Sequence, residues 1–154
     1  MRFTSIMSLD IDLTKINYNF LHKPLLIGGK AMEYYELRKA GNDIDFVISI
    51  EDYEGLKKKY PDPECHRDLF GDLGIMIDEF EIWKCILLFD YKFLSENAIE
   101  KEDYLIISLE KLLFLKALAM KEEKYHNDLK LIVQKILDNQ YDNAEWKEKY
   151  EKLL

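Results

Sequence analysis

The chain has 154 residues, enough for one compact domain or for a core with a helical extension. Apolar residues make up 48% and charged residues 34%, a globular balance that excludes a disordered chain. The net charge of −8 excludes general attraction to nucleic-acid backbones, and no apolar run reaches the roughly 18 residues of a membrane-spanning helix.

Asp10 and Asp12 stand where an export signal would need its apolar centre, so no signal is expected and the predicted location is cytoplasmic. Cys65 and Cys85 lack metal-ligand spacing and read as reduced, core-type thiols of that compartment. Residues 12 to 22 predict a helix, with Leu13, Ile16, Phe20 and Leu21 on one face and Asp12 as N-cap. His22 at its end reads as a surface or capping residue. Pro24 closes this helix, and Leu25-Leu26-Ile27 reads as a buried strand ending on Gly28 and Gly29.

About three helical turns are expected next, with Met32, Tyr35 and Leu37 inward and Gly41 just past their end. Asn42 to Ser49 then predicts a strand in which Ile44, Phe46 and Ile48 share one face. Asp43 and Asp45 point together to the other face, roughly 7 Å apart. Two carboxylates so placed repel each other, so one of them takes up a proton unless a divalent cation intervenes. Hard carboxylate oxygens suit magnesium. The glycine pair lets backbone approach a ligand closely, and the following helix aims free N–H groups at an anion. Lys30, in the first helical turn, is either a phosphate contact or a solvated charge; P-loop spacing is absent.

This succession resembles the polymerase-β-like nucleotidyltransferase superfamily: an apolar strand, Gly28-Gly29, a helix, then Asp43-Ile44-Asp45 opening the next strand. The resemblance implies a metal–nucleoside triphosphate site and a third carboxylate on a neighbouring strand. Residues 51 to 60 predict a short charged helix ended by Pro61, with Pro61-Asp62-Pro63 as a loop. Turn chemistry follows from Asp68 to Gly74. Ile75-Met76-Ile77 and Phe80 to Ile86 read as strands, with Asp78-Glu79 between them as a tight turn or bulge. Phe80-Glu81-Ile82 repeats the local pattern of Ile44-Asp45-Phe46, which makes Glu81 the first choice for the third carboxylate and Asp78 the alternative. The strand register decides between them, because a slip of one residue reverses the faces. The competing reading of Glu81 is a solvated edge-strand carboxylate.

From Tyr104 the chain is expected to be helical, with Ser108 as a cap and Glu110 in the first turn. Leu112, Leu113, Leu115, Leu118 and Ala119 form an apolar surface that includes the stem of Lys116. Its ammonium either snorkels to solvent or reaches a triphosphate. Residues 107 to 119 are similar to the helix that follows the core in nucleotidyltransferase-like proteins of the abortive-infection and toxin–antitoxin type. Lys124 and Asp128, one turn apart, are a further candidate pair, while His126 and Asn127 depart from the Lys-Asp usual in that type. Leu129, Ile132, Val133, Ile136 and Leu137 keep helical spacing, and the charged tail from Asn139 carries Trp146, Tyr150 and Leu153 to dock it.

The expected fold is therefore α/β (α+β), a small mixed sheet flanked by helices. The resemblance implies a nucleotidyltransferase-like core over residues 1–103 and a helical extension over 104–154, packed as one unit. It also implies a metal-dependent nucleotidyltransferase. Asp43, Asp45 and Glu81 would be catalytic and would hold one or two Mg2+ ions. Gly28 and Gly29 would bind the NTP, with Lys30 or Lys116 offsetting its charge. The acceptor would be an RNA end, a protein or a small hydroxylated molecule. The alternative is a non-catalytic module of the same fold that binds a protein partner in a toxin–antitoxin-like system. A glycosyltransferase reading of Asp43-Ile44-Asp45 is set aside, because such enzymes need a longer nucleotide-binding domain.

Overall fold

The computed structural model describes residues 9–61, 67–69, 72–119 and 122–140. Cys65, the loop positions Asp62 and Pro63, and the tail residues Trp146, Tyr150 and Leu153 lie outside the described residues. The centre of the fold is β1 (Leu25–Ile27), three consecutive apolar residues all buried. A strand covered on both faces shows no alternation, which is why this run is uniformly apolar. It pairs antiparallel with β2 (Ile44–Val47). On its other side it pairs parallel with β9 (Leu105–Ile106).

Four more strands complete a seven-stranded mixed sheet: β3 (Arg67–Leu69), β4 (Gly74–Ile77), β5 (Phe80–Trp83) and β8 (Ile99–Glu100). The strand order is β3-β4-β5-β2-β1-β9-β8. A separate hairpin is formed by β6 (Cys85–Ile86) and β7 (Phe89–Asp90). The helices are α1 (Gly28–Tyr34), α2 (Ile50–Lys59), α3 (Tyr91–Leu94), α4 (Leu109–Leu118) and α5 (Glu123–Gln140). The α+β class expected from the sequence is the class observed.

Ile44, Phe46 and Ile48 do share one face, and they enter the main core with Ile75, Ile77, Phe80 and Ile82. Tyr53 and Leu56 of α2 cover that face, fully buried. Ser49 caps α2 by accepting the Asp52 N–H, with Glu51 and Asp52 in the first turn and three lysines in the last. Asp78 and Glu79 make the expected tight turn: Ile77 pairs with Phe80, and Asp78 takes a left-handed conformation at φ 50°.

Several elements differ from expectation, each for a local reason. Asp12 is an N-cap, but only a 3-10 turn, Leu13–Ile16, follows it before Asn17 turns left-handed at φ 52°. The backbone beyond is claimed by a buried carboxylate: Asp52 accepts from the N–H groups of Leu21 and His22 at 2.8 and 2.9 Å. It also accepts from the Tyr18 and Ser49 hydroxyls. Helix α1 is shorter than three turns. Glu36, at φ 58°, donates to the Glu33 carbonyl while Leu37 donates to that of Met32, a Schellman stop made without glycine. The strand expected over Phe80–Ile86 is interrupted at Lys84, after which β6 turns back through Leu87 at φ 53°.

The chain divides into two compact units, Met1–Ser108 and Leu109–Leu154. The boundary lies beyond the expected residue 103 because Leu105 and Ile106 continue the sheet alongside Leu25 and Leu26. The second unit pairs α4 with α5. No helix among the described residues is long and apolar enough to cross a membrane.

Candidate carboxylate site

Strands β2 and β5 run parallel, and their register sets Asp45 directly beside Glu81. Phe46 and Ile82 beside them point into the core, so Asp45 and Glu81 emerge together on the opposite face. The register thus separates the two alternatives for the third carboxylate: Glu81 adjoins Asp45, while Asp78 is exposed in the β4–β5 turn.

The two carboxyl groups are hydrogen-bonded to each other. Two carboxylates cannot form such a bond unless one of them carries a proton. Burial pushes the Asp45 carboxyl up to about 8, reinforced by the hydrogen bond and charge of Glu81 and, least, by the charge of Asp43. A hydrogen bond from the Trp83 indole acts the other way and favours the ionised form. Asp43 is exposed and precedes β2 instead of lying within it. The carboxylate repulsion anticipated between Asp43 and Asp45 therefore falls chiefly between Asp45 and Glu81.

Gly28 completes the setting. It holds φ +66°, and a Cβ built there would lie 2.5 Å from Asp45 Oδ2. Both facts require glycine: the left-handed backbone disfavours any side chain, and the carboxylate occupies the space a side chain would fill. Gly29 differs, since a Cβ there would make ordinary contacts of 3.6 Å with Ala40 and Arg38.

No family model, no curated protein and no solved structure matches this chain.

The remaining candidates lie as follows. Lys30, in α1, has its ammonium 3.6 Å from Glu33. Lys116 is buried in the second unit, 2.9 Å from Asp128 and over the ring of Tyr125. Lys124 also lies over that ring. Gly28, Asp45 and Glu81 are thus brought together, with Asp43 close enough for its charge to be felt.

Among the described residues no three His, Cys, Asp or Glu side chains are grouped to hold a metal ion. The donor set still fits magnesium, which is commonly held by one or two carboxylates together with substrate phosphates, with little else from the protein. A divalent cation in place of the shared proton would remove the repulsion between Asp45 and Glu81. Trp83 is the residue that sequence reasoning passed over. It lies two positions after Glu81, so strand periodicity alone puts it on the carboxylate face.

Proposed function

We propose that the protein is a metal-dependent nucleotidyltransferase that moves a nucleoside monophosphate from an NTP to a hydroxyl acceptor, releasing pyrophosphate. The observation that carries this reading is the Asp45–Glu81 pair, in register on adjacent parallel strands with Asp45 against Gly28. Two acids held side by side and half-buried are costly for folding, so their presence points to a ligand that relieves them. Asp45 and Glu81, with Asp43 beside them, would hold Mg2+, and the ion would supply charge stabilisation for an in-line displacement at phosphorus.

The residues of the chain then divide the work. Gly28 leaves the space in which Asp45 stands. Glu81, held beside Asp45, would accept the proton from the acceptor hydroxyl as that oxygen attacks the α-phosphorus. Lys30, beside Glu33 in the first turns of α1, is the cation of the first unit placed next to Gly29 in sequence and would meet the phosphates. Lys116 is engaged with Asp128, and this reading does not use it. The acceptor would be an RNA end, a protein or a small hydroxylated molecule, and the setting cytoplasmic.

A non-catalytic partner module of a toxin–antitoxin-like system is the second reading. It is favoured by the exposure of Asp43 and by the lack, among the described residues, of a three-carboxylate group. Calorimetric titration of ATP, GTP, CTP and UTP with Mg2+ separates the two. The enzyme reading expects Mg2+-dependent binding of a nucleotide that disappears in Asp43→Ala/Asp45→Ala. A folded wild-type protein that binds no nucleotide would overturn it and leave the partner module in its place.

A further inference from the structure

Trp83 is tied into the carboxylate site from two sides. In the parallel pair it stands beside Val47, one step along the same face from the Asp45–Glu81 pair. In the antiparallel pair it stands opposite Gly74 of β4. A Cβ at Gly74 would lie 2.9 Å from Trp83 Cε3, 3.2 Å from Cδ2 and 2.8 Å from the Ile82 carbonyl oxygen. The six-membered part of the indole is therefore packed across a position that only glycine leaves open. Its other end, the Nε1–H, donates to the Asp45 carboxylate.

An indole N–H donates and never accepts, and it has no charge to lose in the physiological range. It therefore commits part of the Asp45 carboxylate whether or not a proton or a cation is present. Gly28 limits the same group as well, since a Cβ there would lie 2.5 Å from Asp45 Oδ2. A carboxylate that accepts from a fixed donor and stands this close to backbone has reduced freedom at its χ angles. Metal-ligating carboxylates are commonly fixed in this way by outer hydrogen bonds, and loss of such a bond weakens metal binding.

We propose that Trp83 is a positioning residue: its indole N–H, braced on Gly74, orients the Asp45 carboxylate towards Glu81 so that the pair can bind a divalent cation. This rests on the metal-site reading given above. Only the orienting role is new, since Trp83 makes no contact with the reacting atoms in it.

The test uses the full chain and Mg2+ alone, without nucleotide. Trp83→Phe keeps an aromatic ring over Gly74 and removes only the donor. Calorimetry is expected to give Mg2+ binding to the wild type and about tenfold weaker binding to Trp83→Phe. Equal Mg2+ affinity in a folded Trp83→Phe overturns the positioning role and leaves the metal site standing. Absence of Mg2+ binding in the wild type overturns both. A second measurement does not depend on that variant folding. The chain has two tryptophans, so a Trp146→Phe protein labelled with 15N shows a single indole N–H resonance. That resonance is expected to move on Asp45→Asn and again on saturation with Mg2+. An indole signal that neither change moves, in a chain that binds Mg2+, shows that Trp83 does not hold Asp45.

Discussion

Each unit of this protein sets a pair of ionisable side chains together, buried in the helical unit and half-buried in the sheet unit, and the two pairs are of opposite kinds. In the helical unit, Lys116 and Asp128 face each other at 2.9 Å with side chains only 7% and 4% exposed. That pair is complete: each charge has its counter-charge, and the Tyr125 ring lies against the ammonium. In the sheet unit two acids, Asp45 and Glu81, stand side by side. That pair is incomplete, and a proton or a cation has to stand between its members. A buried lysine on an apolar helix suggests a triphosphate contact from sequence alone, yet its charge is already answered inside the fold. Among the described residues, the pair without a counter-charge is Asp45 and Glu81.

The largest effect should come from breaking the complete pair. Asp128→Ala leaves a buried ammonium without its carboxylate and is expected to cost about 3–5 kcal/mol. Lys116→Met/Asp128→Leu removes both charges and should come within about 1 kcal/mol of wild type or exceed it. Urea unfolding of the three proteins measures both. If Asp128→Ala costs no more than an exposed substitution, the pair is not buried in solution and the contrast between the two units fails.

Next in size is the asymmetry of the two glycines. Gly28→Ala imposes a left-handed alanine, about 1–2 kcal/mol, and drives its Cβ onto Asp45 Oδ2. Both stability and Mg2+ binding should fall. Gly29→Ala meets only ordinary contacts, and alanine suits a helix better than glycine by up to about 1 kcal/mol. It should be neutral or slightly stabilising. Thermal unfolding and Mg2+ titration of both variants check this, and equal behaviour would mean that Asp45 does not stand against Gly28.

The face carrying Ile44, Phe46 and Ile48 was legible in the sequence because period-2 alternation is a local signal. A break at Asp78-Glu79 was legible too, as a tight turn or a bulge, and the structure makes it the turn. The choice of Glu81 over Asp78 could be framed but not made, since it depends on a parallel register between strands separated by α2 and the β3–β4 pair. Strands β8 and β9 have two residues each, too few for any alternation to show. The helix expected over residues 12 to 22 failed for a tertiary reason: Asp52, distant in sequence, takes the N–H groups of Leu21 and His22. The burial of the Lys116 stem was legible, but the partner of its ammonium was not: spacing offered Lys124 to Asp128, and only the packing of α4 on α5 brings Asp128 to Lys116. Trp83 sat on the right face by periodicity, but its role needs Gly74 across the strand pair.

The smallest effect is also the most specific to the incomplete pair. Asp45 has a folded value of about 8 against an ordinary 3.8. Between those values the native state holds a proton that the unfolded chain has released. Stability without metal should therefore be fully present below about pH 4, fall as pH rises, and level off above about 8. The slope is at most about 1.4 kcal/mol per pH unit. Asp72, held below the ordinary carboxylate range by Lys57, and Glu79, held there by a backbone N–H and by Lys15, act with the opposite sign and only in acid, where their protonation costs stability. Their contribution is complete above the ordinary carboxylate range, so most of the Asp45 window lies clear of it. Asp45→Asn keeps the shape and cannot ionise, so it should flatten the fall between about pH 5 and 8 and be more stable than wild type at pH 8. Saturating Mg2+ should flatten the wild-type profile by a different route, by replacing the proton. A wild-type profile that is already flat, or one that Asp45→Asn leaves unchanged, would show that Asp45 and Glu81 do not share a proton, and the incomplete pair would lose its claim to be the site.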